Sequence, residues 1–273
     1  MRRSFSPEEI WSSASEFFKD VVEVFDAMGT PPEGQERPPI KVLGGKTVTV
    51  NAGSYDLSGV YGGVETRAFM FAGVDKLTIA GNVAFRNENE AFDSAWEGLI
   101  LLSAGSVSLP KGTAEERASV SYGGDFIEVS SFDTLEVINV DLSAEGVVFV
   151  RSLDSLVINN ASMRTSGNGG PDFVHLRAFE EISADNLLFS DNMQRILMEA
   201  MTINLMNVSF PSETKVKLRS LYGAVDGKYP TFGSQNKQYG RVNFIQNVRY
   251  GVHLLNSRPA FNQHGGNITI EGR

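Results

Sequence analysis

Val148-Phe149-Val150-Arg151-Ser152-Leu153-Asp154-Ser155-Leu156-Val157-Ile158-Asn159-Asn160 and Val174-His175-Leu176-Arg177-Ala178-Phe179-Glu180-Glu181-Ile182-Ser183-Ala184-Asp185-Asn186 align residue for residue. Apolar side chains fall on apolar side chains, and both segments reach an asparagine at the same step. The alternation within each is that of a short strand with one face in a core. Gly146 to Phe210 therefore reads as part of a repeating object, and the repeat is the first thing to trace.

Working outward, the first residue of the second strand in each unit serves as an anchor. The anchors are Val48, Leu77, Val107, Leu135, Leu156, Ile182 and Ile203, separated by 29, 30, 28, 21, 26 and 21 residues. Six residues earlier stand Val42, Phe71, Leu101, Val129, Val150, Leu176 and Leu197. Eight residues earlier stand Ile40, Phe69, Leu99, Ile127, Val148, Val174 and, breaking the pattern, Arg195. Two residues after the anchors come Val50, Ile79, Leu109, Val137, Ile158, Ala184 and Leu205. The last four units add Asn139, Asn160, Asn186 and Asn207, then Leu142, Met163, Phe189 and Phe210. Val216 to Leu221 copies Val148 to Leu153 and opens a candidate eighth unit.

Such columns mean stacking of like on like. No unit can bury its own inward face, but a neighbour about 4.8 Å away can. The expected fold is all-β: a right-handed parallel β-helix of about seven to eight coils over residues 40–227, its asparagine column being an inward polar turn. A β-sandwich would not hold columns in register over so many units. A leucine-rich repeat keeps a stricter length, and a propeller needs four strands per ~40 residues.

The flanks read differently. Residues 6–28 predict a helix, with Ser6 as cap, Pro7 at the first helical position and Glu9 completing a capping box. Ile10, Ala14, Phe17, Phe18, Val21, Val22, Phe25 and Met28 make one apolar stripe, and Gly29 ends it. Thr30 to Pro39 is a proline-rich strap, so residues 1–39 form an N-terminal unit. Residues 228–273 are an irregular tail that packs on or extends the β-helix. Within it Ile268-Thr269-Ile270 reads as an edge strand, and Ile270-Glu271-Gly272-Arg273 spells a protease-cleavage tag of the kind appended for expression.

The columns from Ile40 to about Val225 resemble the pectin-lyase-like superfamily of parallel β-helices. That resemblance implies that the N-terminal amphipathic helix caps the open end of the stack. Gly240-Arg241-Val242-Asn243-Phe244-Ile245-Gln246-Asn247-Val248-Arg249-Tyr250-Gly251 is similar to a phrase of large repetitive bacterial surface proteins of adhesin type. The superfamily holds pectate lyases, polygalacturonases, phage tailspikes and adhesin passengers, so it implies a scaffold and no single chemistry.

Composition narrows the function classes. The 273-residue chain is 41% hydrophobic, with 27 glycines suited to a turn-rich β protein. Its net charge of −9 disfavours nucleic acid as a partner. It has no cysteine, which removes disulfides and thiol catalysis. No apolar run reaches the ~18 residues of a membrane span. Met1-Arg2-Arg3 is basic but no apolar stretch follows, so no signal peptide is expected. The chain is expected either to stay inside the cell or to be a module of something longer, secreted or at the cell surface in the latter case.

Function on a β-helix lives on its outward side chains. Along the first strand face these read Lys41/Leu43, Met70/Ala72, Ile100/Leu102, Glu128/Ser130, Phe149/Arg151, His175/Arg177 and Ile196/Met198. The strip near Met70, Ile100 and Leu102 is too apolar to stand bare. Its cover is the chain's own tail or long loops, or else a protein partner or second copy. The second face is mostly polar.

Glu128, Arg151, His175 and Arg177 form the candidate binding set. They contain one carboxylate where inverting hydrolysis needs two at ~6.5–9.5 Å, and no acid cluster for a metal-assisted lyase. The loops Arg86 to Gly98 and Lys111 to Asp125 carry Trp96, Glu97 and Tyr122; they wall a groove for stacking on sugar or pack down on the apolar strip. Gly167 to Val174 echoes a calcium-binding nonapeptide in a single copy, which cannot build a shared site. His253 and His264 have no partner at ligand spacing. No catalytic residue, metal or cofactor is assigned. The expected function is a non-enzymatic structural or interaction module of a bacterial protein; the alternative is a carbohydrate-active or carbohydrate-binding β-helix.

Overall fold

The computed structural model describes residues 40–57, 68–86, 98–166, 172–220, 223–224, 237–238, 241–255 and 267–270. The expected helix over residues 6–28 and the strap after it lie outside these residues, as do Trp96, Glu97, Gly167 to Gly170 and His264. Among the described residues every regular element is a strand. One sheet has 17 strands, and every pairing in it is parallel but one. The architecture is all-β, solenoid-like and compatible with a parallel β-helix.

The strands fall into three ladders. The first runs through the leading halves of Ile40–Asp56 and Ala68–Arg86, then Gly98–Ser103, Phe126–Ser131, Val147–Ser152, Phe173–Ala178, Arg195–Ala200 and Lys215–Ser220. The second continues through Ser106–Ser108, Leu135–Ile138, Leu156–Thr165, Glu181–Phe189, Thr202–Met206 and Arg241–Gln246. The third takes the far ends of the longest strands together with Ala118–Gly123 and Val140–Ala144. Successive units pair the same positions, so inward side chains pile into files.

The anchor file is direct. Val48 pairs with Leu77 and Leu77 with Val107; Leu135, Leu156, Ile182 and Ile203 follow in single file. All are buried. The file then continues to Val242, with Phe244 beside Leu205. The segment read as tail thus supplies another second-ladder strand, 39 residues after Ile203. Beyond it Ser209–Phe210 pairs in parallel with Arg249–Tyr250. A register shift between Leu205 and Met206 makes room for one extra residue, Ile245, which is 57% exposed.

Two first-ladder columns differ from expectation. At the start, Lys41 and Leu43, and not Ile40 and Val42, sit opposite Phe69 and Phe71; an irregularity between Gly45 and Thr47 absorbs the offset. Near the end Val174 pairs with Ile196 and Leu176 with Met198. The inward file is therefore Val129, Val150, Leu176, Met198, with Met198 in the place expected for Leu197. Arg195 is exposed, and Ile196, Met198 and Met193 are in the core. A one-residue slip reverses every side chain, which is how the arginine leaves the core column.

The corners explain the polar residues. Asn139, Asn160, Asn186, Asn207 and Asn247 have φ between 48° and 54°. This left-handed backbone is one asparagine tolerates better than other side chains. Their amides link up the stack: Asn160 donates to Asn139, Asn186 to Asn160 and Asn247 to Asn207. They are half-buried or exposed and not inward, a correction that follows from their place at the outer bend. Another corner uses buried serines. Ser131 donates to the Gly105 carbonyl and Ser152 to the Asp133 carbonyl, so the buried hydroxyls find backbone acceptors at the bend.

Candidate functional site

The outer face of the first ladder is built from two adjacent columns. One reads Met70, Ile100, Glu128, Phe149, His175, Leu197, Lys217. The other reads Ala72, Leu102, Ser130, Arg151, Arg177, Glu199, Arg219. Ile196 and Met198, expected outward, are replaced here by Leu197 and Glu199. The face is apolar toward the first strands and charged toward the last.

At the apolar end Met70, Ala72, Ile100 and Leu102 are 0%, 2%, 7% and 4% exposed, although they point away from the core. They form a second hydrophobic cluster with Phe126 and Phe132 packed against it. Phe126 leans over Gly98, where an added Cβ would lie 2.0 Å from the ring. Only glycine admits that approach.

The candidate residues Glu128 and Arg151 meet: the guanidinium lies 3.3 Å from the Glu128 carboxylate, and Ser130 donates to the same oxygen at 2.7 Å. Arg151 also covers the Phe149 ring at 4.8 Å. His175 turns to a different partner. Its Nε2 is 2.9 Å from Oε2 of Glu199, whose other oxygen accepts from Arg219 at 2.5 Å. Glu199 is nearly buried, at 6% exposure. The hydrogen bond from His175 holds its carboxyl below the ordinary range; burial opposes this, while the charges of His175, Arg219 and Arg177 reinforce it. Arg177 is itself exposed and acts on Glu199 through space.

Sequence reading missed Glu199 and Arg219 because the slip at Arg195 hid which alternate of Ile196-Leu197-Met198-Glu199 faces out. With both included, two carboxylates occupy the face. They stand three strand spacings apart, about 14 Å, well beyond the ~6.5–9.5 Å that separates an inverting hydrolase pair. Each is engaged by a cation. The face also carries Arg177, Arg195, Lys215 and Lys217, a local excess of positive charge on an acidic chain.

Aromatic rings run beside these charges. Phe149 meets Phe126 and Phe173 edge-on at 6.1 Å, His175 stacks on Phe173 at 5.9 Å, and Arg195 lies over Phe173 at 5.2 Å. Tyr122 lies elsewhere. It is 3% exposed, within the main core, so it presents no face for a sugar. His253 is exposed at the far end of the stack. Among the described residues no three His, Cys, Asp or Glu side chains are placed to hold a metal ion. No helix there is long and apolar enough to cross a membrane.

Comparison of the chain with known protein families, with curated proteins and with solved structures finds no match.

Proposed function

We propose that this chain is a non-enzymatic interaction module built on a right-handed parallel β-helix of about seven to eight coils, of the pectin-lyase-like kind, and part of a bacterial secreted or cell-surface protein. The observation that carries the reading is the state of the two outer carboxylates. Glu128 is taken by Arg151 and Ser130, and Glu199 by His175 and Arg219. Neither is left to act as a general acid or base, and they stand too far apart to act as a pair. What the face offers for recognition is the half-buried rings Phe149 and Phe173 beside the exposed cations Arg177 and Arg195.

A second reading, a carbohydrate-binding β-helix, is favoured by the ring row Phe126, Phe149 and Phe173 beside arginines. A glycan array run with a polysaccharide-degradation screen tests both. Turnover of any polysaccharide overturns the first reading. Binding without turnover that is lost on Phe149→Ala and Phe173→Ala establishes the second.

A further inference from the structure

We infer that the corner between the first and second ladders is the seam of a homodimer, against which a second copy of this chain packs its own corner with the two stacks parallel. This surface is distinct from the face carrying Phe149 and Phe173.

The corner follows from the register. Gly73, Ser103, Ser131, Ser152 and Ala178 pair in succession at the end of the first ladder. The next residue in the chain is Val74, Ala104, Phe132, Leu153 and Phe179 in turn, and Met201 takes the same place one coil on. Backbone bonds stack the bends: the Leu153 amide donates to the Ser131 carbonyl and the Met201 amide to the Phe179 carbonyl. Six coils in a row thus set an apolar side chain at one corner, over five spacings or about 24 Å. Val74, Leu153 and Phe179 are 37%, 52% and 36% exposed. Exposed bends ordinarily take small polar residues, and a row of exposed apolar ones marks a contact surface.

Charge selects the occupant. Arg151-Ser152-Leu153-Asp154 and Arg177-Ala178-Phe179-Glu180 repeat on adjacent coils, in register. The ridge therefore has arginines on its first-ladder side and carboxylates on its second-ladder side, where Asp133 and Asp75 extend the acidic row. Arg177, Glu180 and Asp133 are exposed. A partner of one sign would meet repulsion along one flank. A two-fold axis parallel to the stack sets the arginine flank of one copy against the acidic flank of the other, and brings Leu153 to Leu153 and Val74 to Val74. A two-fold axis across the stack would face arginine flank with arginine flank. A strip one side chain wide covers far less than the ~800 Å² per partner of a stable interface, so both flanks join the contact and their charges count.

The absence of cysteine makes the orientation readable. Leu153→Cys and Val74→Cys, made singly in the full-length chain and oxidised, should each give a disulfide-linked dimer. Val252→Cys, 87% exposed and off the ridge, is the control and should not. Sedimentation from micromolar to sub-millimolar protein should show a monomer–dimer equilibrium in the unmodified chain. Leu153→Asp should abolish it while leaving the unfolding midpoint of the dilute monomer in place. Arg177→Glu and Glu180→Arg should each weaken association about tenfold, and the two together should restore it.

A chain that stays monomeric throughout overturns the homodimer, as does a dimer indifferent to Leu153→Asp. A disulfide at Leu153 without one at Val74 overturns the parallel arrangement. Failure of the double charge exchange to recover what each single exchange loses removes the flank pairing that selects a second copy. None of these results bears on polysaccharide turnover, so the homodimer stands or falls apart from the non-enzymatic reading.

Discussion

His175 and Glu199 sit one column apart on adjacent strands of the first ladder, and their side chains close a hydrogen bond of 2.9 Å across that diagonal. The two side chains are 12% and 7% exposed. The pair ties three successive strands, because Arg219 holds the other carboxylate oxygen.

Glu199→Gln keeps the shape and removes the charge. Bonds to charged groups contribute about 1.5–3 kcal/mol, so a loss of about 1–3 kcal/mol is expected at neutral pH. The pH dependence has a definite sign. The folded-state pKa of Glu199 is depressed, so its contribution is complete above the unfolded value of about 4.3 and is lost as pH falls through the folded value. Denaturant unfolding of both proteins at intervals from about pH 6 down to pH 2 should show the difference holding and then vanishing. A difference independent of pH would remove Glu199 from the acid response.

Asn160 joins the neighbours above and below it, donating to Asn139 and accepting from Asn186, each at 2.8 Å, with φ at 48°. Side-chain bonding and backbone conformation separate under two substitutions. Asn160→Gly loses the bonds alone, about 1–2 kcal/mol. Asn160→Ala adds the strain of a left-handed alanine, about 1–2 kcal/mol more. Thermal unfolding should rank wild type above Gly above Ala. An alanine variant as stable as the glycine variant would mean the bend relaxes.

Much of this stack is legible in the sequence, and the losses have physical causes. The anchor file from Val48 to Ile203 and the asparagine column are readable because inward strand positions and left-handed corners each admit few residue types. The slip at Arg195 is not readable from pattern alone. Ile196-Leu197-Met198 is an unbroken apolar run, so either register buries apolar side chains, and only ladder pairing decides. The strand Arg241–Gln246 escaped because a long insertion separates it from its first-ladder partner Lys215–Ser220. The site suffered most, since Glu199 and Arg219 become visible only once that register is right.

The register itself is testable by substitution. With Ile196 at 0% exposure in the core, Ile196→Ala should cost about 2–5 kcal/mol. Arg195 is exposed and contacts the Phe173 ring, so Arg195→Ala should cost under about 1 kcal/mol. Chemical denaturation of the two variants distinguishes the registers. A larger loss at Arg195 than at Ile196 would restore the alternation that places the arginine inward.

The last winding makes a prediction of its own. Tyr250 pairs beside Phe210, is 8% exposed, and donates its hydroxyl to the Thr214 carbonyl at 2.9 Å. Thr214 is fully buried, and its own hydroxyl donates to the Met193 carbonyl. Tyr250→Phe removes one hydroxyl and leaves a buried carbonyl without that donor, at a cost of about 1–3 kcal/mol. Were residues 241–255 only an appended strap, the substitution would leave the main unfolding transition unmoved. Because Arg241–Gln246 continues the second ladder and Arg249–Tyr250 pairs with Ser209–Phe210, the whole transition should shift, and hydrogen exchange at Thr202–Met206 should quicken with it.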